Sequence, residues 1–225
     1  MRLLALLPVA LLLTPHGFAQ DLPAPLDAAL ARAEAEGPAR YAFTMRFAAA
    51  DAAPVTLRYH PEKGWQTLSG DPDALPDGAR DALARTKEQE AVPGGLLYGD
   101  FREHLAEVTL TGETDDAYTY AFVPPEARER GMGGEDMNAM SARLVVSKED
   151  GRLALYDLEA LRPFKPLPIV RLDAFALEHE FARLDGEADG PAVLVRLRSV
   201  RRGSRMFQRV DEDFEATFTD HVRVD

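Results

Sequence analysis

Apolar residues recur at every second position along most of the last third of the chain. Ala142, Leu144 and Val146 share one face of an extended segment, and a second alternating run covers residues 152–156. The two runs flank Asp150-Gly151, and glycine readily adopts the positive φ that a tight hairpin turn requires. This period of two predicts a β-hairpin, the first part of an antiparallel meander over residues 141–220.

Further alternating runs extend the meander. They cover residues 171–184, 193–198, 206–210 and 214–219, with turns predicted at 186–191, 202–204 and 211–213. The proline-rich segment 162–168 is predicted to be a loop or an edge strand, because proline lacks the N–H that a central strand donates. Each run has one apolar and one polar face, which is typical of an antiparallel sheet with one side in water. The apolar face therefore needs a cover.

Helices in the first half of the chain are the predicted cover. Residues 22–36 are alanine-rich, with Leu26 and Leu30 one turn apart, and residues 77–90 have a similar apolar side. Between and after these helices, the alternation predicts strands over 41–47, 55–59, 65–68, 105–111 and 117–123. The fold class is therefore predicted to be α+β, with helices packed on one face of an antiparallel sheet.

The N-terminus has the pattern of a secretory signal peptide over residues 1–19. Arg2 precedes an apolar run over residues 3–13, and Gly17-Phe18-Ala19 forms a small-residue exit. A membrane anchor is the alternative, but the run is short for a hydrocarbon layer of about 30 Å. We predict removal of the signal, a single domain over 20–225, and a periplasmic location, which the alanine- and arginine-rich bacterial composition also favours.

Charge and residue types exclude several functions. The net charge of −12 argues against nucleic-acid binding, which needs clustered cations. One arginine cluster is interpreted as a solvated strand face paired with carboxylates, or alternatively as a contact for lipid headgroups or an acidic partner. Its members are Arg196, Arg198, Arg201, Arg202, Arg205 and Arg209.

No residue constellation indicates catalysis, a metal or a cofactor. The chain has no cysteine, no Gly-x-Ser-x-Gly elbow and no His-x-x-x-His pair. Asp71, Asp73 and Asp77 faintly match a calcium loop, but Leu75 occupies a ligand position. His179 alternates with apolar neighbours and is interpreted as a half-buried residue with its hydrogen bonds satisfied. We therefore predict a protein that is not an enzyme, with no catalytic residue, no metal and no cofactor.

Large apolar residues are the candidates for contact with a ligand. Those on the predicted strands are Tyr41, Phe43, Met45, Phe47 and Trp65. The alternative is that these side chains are simply core, since burying each contributes roughly 1.5–3 kcal/mol. Met132 and Met137, in the glycine-rich stretch 124–140, are candidates for an adaptable lid over an apolar ligand. A loop or short helix over the sheet is the alternative there.

The order of elements resembles the periplasmic lipoprotein-carrier (LolA-like) superfamily. Residues 41–47 occupy the place of the family's first strand after its first helix, and residues 143–153 are similar to its hairpin. The resemblance implies a strongly curved antiparallel sheet, a half-barrel, with helices packed on the concave face. The family fold serves lipoprotein carriers, lipid binders and sensors.

Three functions are therefore considered for this chain. The first is an exported, monomeric binder or carrier of an apolar or amphipathic ligand, such as a lipid or a lipoprotein acyl chain. The alternative is a periplasmic interaction or sensor module with no small-molecule ligand, which would use a sheet edge or the outer face. The third is a hydrolase whose catalytic residues meet only in space.

Overall fold

The computed structural model describes residues 22–123, 139–167, 169–184, 190–205 and 208–224. The predicted signal peptide over residues 1–19 lies outside these residues, as do the lid candidates Met132 and Met137. These three predictions therefore stay predictions. Within the described ranges, no helix is both long and apolar enough to cross a membrane.

Two helices and one large antiparallel sheet make up the described structure. The helices are α1 (Ala24–Glu36) and α2 (Asp77–Glu90), and short 3₁₀ helices cover Pro72–Ala74 and Gly99–His104. The strands are β1 (Tyr41–Ala49), β2 (Val55–His60), β3 (Gly64–Ser69), β4 (Ala106–Glu113), β5 (Ala117–Val123), β6 (Met140–Ser147), β7 (Leu153–Ala160), β8 (Phe164–Leu167), β9 (Val170–Arg183), β10 (Ala192–Arg205) and β11 (Gln208–Arg223). The α+β class and the antiparallel sheet are confirmed.

The eleven described strands form one open sheet. Their order is β3-β2-β1-β11-β10-β9-β7-β6-β5-β4, and β8 pairs with one end of β9. Strands β3 and β4 are the two ends of this order, and within the described residues they do not pair with each other. The proline-rich segment, predicted as a loop or an edge strand, is the short strand β8.

Both helices bury an apolar stripe at helical spacing. In α1 the stripe comprises Leu26, Ala29, Leu30 and Ala33. The helix ends at Gly37, whose positive φ of 68° favours glycine. In α2 the buried residues are Ala82, Leu83, Thr86 and Glu90, so a carboxyl group occupies the last position of the stripe. Helix α2 packs on β11, and α1 packs on β6, β7 and the second 3₁₀ helix.

The two faces of the sheet differ as the alternation predicts. On β1, Met45 and Phe47 are fully buried while Arg46 between them is exposed. On the outer face Arg196 contacts three carboxylates, with Glu178 at 2.9 Å, Glu180 at 2.6 Å and Glu215 at 2.8 Å. For Arg196 the interpretation of the arginine cluster as a strand face paired with carboxylates is therefore confirmed.

The turns predicted at 202–204 and 211–213 are wrong. Strand β10 continues to Arg205, and residues 211–213 lie within β11. The register places Arg202 opposite Asp211 and Arg201 opposite Glu212, so opposite charges across the ladder favour continued pairing. Gly203 lies at a bulge against β9, where a Cβ atom would collide with the carbonyl oxygen of Arg171. The glycine therefore permits close strand contact and does not turn the chain.

Candidate functional site

A cavity of about 590 Å³ lies between part of α2 and the inner face of the sheet. Its walls are α2, the segment 91–101 that follows it, and strands β9, β10 and β11. Pockets that hold small ligands typically measure roughly 300–1,000 Å³. The space is thus large enough for a guest molecule, and we call it the α2 cavity.

Apolar side chains form the floor and one wall of the α2 cavity. They are Leu97, Phe101, Leu177, Phe181, Leu194, Leu197 and Phe214. The register explains why the strands contribute together: Ser199 of β10 lies opposite Leu177 of β9 and Phe214 of β11. Directly paired residues point to the same face of a sheet. The alternation along three adjacent strands therefore delivers one continuous apolar surface.

An aromatic cluster borders this surface. The ring of Phe101 lies 4.5 Å from that of Tyr156 and 5.8 Å from that of Phe181. Phe181 also contacts Tyr98, at a ring separation of 5.2 Å. Edge-on and tilted contacts at these separations are favourable for aromatic pairs. The cluster fixes the 91–101 segment against the sheet beside the cavity.

Glu90 brings a carboxyl group into this apolar environment. It is the last residue of α2, only 7% exposed, and it lines the α2 cavity. Its Oε2 has no hydrogen-bond partner among the described residues. Burial raises the pKa of Glu90 from 4.5 to about 8, because a carboxylate loses its hydration there. At neutral pH the side chain is therefore an uncharged carboxylic acid that can donate as well as accept a hydrogen bond.

His179 lines the same cavity from β9. Its ring lies 5.7 Å from that of Tyr156 and 6.4 Å from that of Phe181. Burial lowers the pKa of His179 from 6.5 to about 4, so the imidazole is neutral at neutral pH. Its Nδ1 has no hydrogen-bond partner within the described part of the chain. The predicted partial burial is confirmed, but the expectation that its hydrogen bonds are satisfied is wrong, because apolar rings surround the imidazole.

Charged side chains contribute to another part of the lining. Arg85 of α2 contacts Glu212 of β11 at 2.9 Å, and Arg201 of β10 approaches the same carboxylate at 3.9 Å. All three residues line the α2 cavity. The two arginines are about half exposed, so water screens these pairs and each contributes little stability. This set, Arg85, Arg201 and Glu212, is called the charged rim.

A second cavity of about 380 Å³ lies beside the first. It is lined by Tyr41, Phe43 and Tyr59, and it shares Glu90, Val92 and Pro93 with the α2 cavity. The end of α2 therefore borders both spaces.

The strand residues that the sequence predicts as ligand contacts fall into two groups, those that line a cavity and those that belong to the core. Tyr41 and Phe43 line the second cavity. Met45 and Phe47 are 0% exposed and line neither cavity, as the plain-core alternative expects. Trp65 packs edge-on against Phe43 at 5.5 Å and donates from Nε1 to the carbonyl oxygen of Lys87 at 3.3 Å. Their part in ligand binding stays a prediction.

Glu90 and the lining residues of β9 were missed from the sequence. Leu177 and Phe181 lie on a face recognised as apolar, yet nothing in the pattern distinguishes a cavity wall from filled core. Glu90 did carry a signal, since it follows Thr86 by one helical turn on the buried side of α2. A carboxyl group at an inward helical position indicates either a buried partner or a functional role.

The faint calcium-loop match at Asp71, Asp73 and Asp77 lies outside the two cavities. Among the described residues, no three or more His, Asp or Glu side chains lie close enough together to hold a metal ion. Asp71 accepts a hydrogen bond at Oδ1 from the backbone N–H of Asp73 at 3.0 Å, and it caps the first 3₁₀ helix. Its position thus has a local structural explanation.

No protein-family model and no curated protein matches the chain. The chain is similar to the crystal structure of a LolA superfamily protein from Nitrosomonas europaea, at 12% sequence identity and a TM-score of 0.40. The match covers 88% of this chain and 93% of the other. That protein belongs to the superfamily that the order of elements in this chain resembles.

Proposed function

We propose that the protein binds an apolar or amphipathic ligand, such as a lipid or an acyl chain, in the α2 cavity. The observation that carries the proposal is the cavity itself, about 590 Å³ of space over an apolar floor. The space is partly open to solvent, as ligand-binding clefts are, and its apolar floor favours a guest with an apolar part.

The lining chemistry supports an elongated apolar guest. Each methylene group moved from water into an apolar site contributes about 0.8 kcal/mol. Strands β9, β10 and β11 provide such a site across three neighbouring strands. We include in the proposal that the sheet curves into a half-barrel whose concave side holds the helices and the ligand. Export to the periplasm by the predicted signal peptide would place the binder among envelope lipids.

We further propose that the α2 cavity binds its ligand and does not catalyse a reaction. A hydrolase would need a nucleophile activated by a hydrogen-bonded base. Ser199 and His179 both line the cavity, but within the described residues no hydrogen bond joins them. A panel of ester substrates should accordingly give no turnover.

The alternative function is an interaction module that uses an end strand of the sheet. Leu68 on β3 and Leu110 on β4 are both about half exposed at the two ends of the described order, where a peptide could add a strand. A pull-down from envelope extract that captures one partner, lost on substitution of either strand, would favour it.

Native mass spectrometry after gentle purification tests the proposed function. We expect the mature chain to carry a lipid-sized adduct, and the stripped protein to take up a fluorescent acyl-chain probe at one site. Affinity should rise with chain length until the cavity is full. The proposal would be refuted if the mass spectra showed only ligand-free protein and the protein took up no probe of any length.

A further inference from the structure

The charged rim lies at one end of the apolar floor of the α2 cavity. On the inner face of the sheet, Arg201 of β10 pairs with Glu212 of β11, and the next inward pair along these strands is Ser199 with Phe214. Leu197 of the floor precedes Arg201 by four residues, which is roughly 13 Å along a strand. The cavity therefore has a charged end followed by an apolar length.

Two arginines share one carboxylate at this end. Nη2 of Arg85 contacts Oε2 of Glu212 at 2.9 Å, whereas Nη1 of Arg201 lies 3.9 Å from the same oxygen. The second distance is too long for a hydrogen bond, so Glu212 accepts a hydrogen bond from Arg85 and not from Arg201. Two guanidinium groups and one carboxylate leave one formal positive charge at the rim. Both arginine side chains are nearly half exposed, so a guest in the cavity can reach them.

A second carboxylate of the lining lies near the opposite end of the floor. Asp100 precedes Phe101, whose ring contacts that of Phe181 at 5.8 Å. On β9, Phe181 follows Phe175 by six residues, roughly 20 Å along the strand, and Phe175 is the residue that pairs with Arg201. An anionic group is therefore favoured at the rim and disfavoured beside Asp100.

We propose that Arg85 and Arg201 bind the anionic head, a carboxylate or a phosphate, of an amphiphile whose acyl chain lies along the apolar floor of the α2 cavity. This inference rests on the proposed function. A guanidinium group presents a planar fork of N–H donors that matches both kinds of head, and hydrogen bonds between charged groups are stronger than neutral ones. The head competes with Glu212 for the two arginines.

The experiment compares three probes that share a chain length: dodecanoate, dodecyl phosphate and the uncharged methyl dodecanoate. Each is titrated calorimetrically into the delipidated mature chain at neutral pH and low salt. We expect the wild type to bind an anion about tenfold more tightly than the methyl ester, and the tighter anion identifies the head. Arg201→Gln should weaken anion binding by about tenfold and leave ester binding unchanged. Arg198→Gln, on the outer face of the same strand, is the matched control and should bind all three probes as the wild type does.

Glu212→Gln separates a binding role of the rim from a structural one. Removing this carboxylate frees both arginines, so anion binding should tighten by about threefold or more while ester binding stays the same. A rim that only holds α2 on the sheet would give no such gain. The preference of the wild type for the anion should also shrink in high salt, because salt screens exposed charges.

Two results would overturn the rim as a head site. One is equal binding of the ester and both anions by the wild type, and the other is wild-type anion affinity in Arg201→Gln. A wild type that binds none of the three probes would overturn the proposed function itself, which is a distinguishable failure. Thermal unfolding checks the fold of each variant. If Arg201→Gln does not fold, Glu212→Gln decides, and anion binding that does not tighten in it would contradict the proposal.

Discussion

Two regions of the inner sheet face share β11 but are filled very differently. Around β1, the ring of Phe43 lies within 5.3–5.7 Å of those of Tyr59, Trp65 and Phe218, and Met45 beside it is fully buried. Around β9 and β10, an equally apolar surface faces a cavity of about 590 Å³. The sheet pattern is the same in both regions, so the strands alone do not explain the difference.

The side chains that surround each region explain it. Beside β1, large rings from the neighbouring strands β2 and β3 pack on Phe43, and the smaller second cavity of about 380 Å³ remains. Over β9 and β10, the lining residues of α2 and the segment after it include small ones, among them Ala82, Gly94 and Gly95. Short side chains above an apolar surface leave volume behind. The comparison shows that the same binary pattern can give either a packed core or a cavity, depending on the size of the side chains that surround the apolar face.

Truncating one phenylalanine in each region is expected to give the largest difference. Phe47→Ala removes a ring that is fully buried, stacks on Phe214 at 5.0 Å and lines neither cavity, and it should cost about 3–5 kcal/mol of unfolding free energy. Phe181→Ala should cost clearly less, because Phe181 already faces the cavity and loses fewer contacts. Urea unfolding of the ligand-free variants measures both. Equal costs would mean that the α2 cavity is closed in solution.

Glu90 should make stability depend on pH in a defined window. Its pKa is 4.5 unfolded and about 8 folded, so the folded state holds an extra proton between these values. Its contribution to stability is therefore complete below pH 4.5 and is lost as pH rises towards 8, by at most about 1.4 kcal/mol per pH unit. Glu90→Gln should abolish this loss. A difference between variant and wild type that does not grow with pH would contradict the burial of Glu90.

His179 should make the free energy of unfolding fall as the pH decreases, which is opposite to the effect of Glu90. Its pKa is 6.5 unfolded and about 4 folded, so the unfolded chain binds the extra proton in that interval. Its contribution to stability is present above pH 6.5 and is lost as pH falls towards 4. Thermal unfolding of His179→Phe should lack this component. If the histidine is hydrated through the cavity, the variant will follow the wild-type pH profile.

The charged rim should have the smallest effect. Arg85→Gln removes the 2.9 Å contact to Glu212 and should cost less than about 1 kcal/mol, since the arginine side chain is half exposed. The effect should shrink further in high salt. A cost of several kcal/mol, unchanged by salt, would show that the rim holds α2 on the sheet.

The helices and strands could be predicted because the period of the hydrophobic pattern indicates which face of each element is buried. The helix predicted over 77–90 is α2 with the same bounds, and the strand predicted over 41–47 is β1 (Tyr41–Ala49). The ends of the strands were harder to predict from the sequence. At 202–204 and 211–213 the sequence shows glycine and charges, which are common in turns, but cross-strand charge pairing extended both strands. That pairing depends on register, which a local pattern does not contain.

The α2 cavity could not be predicted for a related reason. Its volume depends on how Ala82 and Gly95 meet Leu177 and Leu197, four residues far apart in the chain. Each position alone is compatible with a filled core. The carboxyl group of Glu90 in a buried helical stripe was the one local sign of an unusual site.

Occluding the α2 cavity tests the central claim most directly. Leu177→Trp places a large ring at the cavity wall, and Leu110→Trp makes the same change on the half-exposed end strand β4 as a matched control. Uptake of a fluorescent acyl-chain probe is measured for both variants and the wild type. The cavity proposal predicts that Leu177→Trp, folded by circular dichroism, loses at least about tenfold in affinity while Leu110→Trp binds as the wild type. Equal uptake by all three proteins would contradict it.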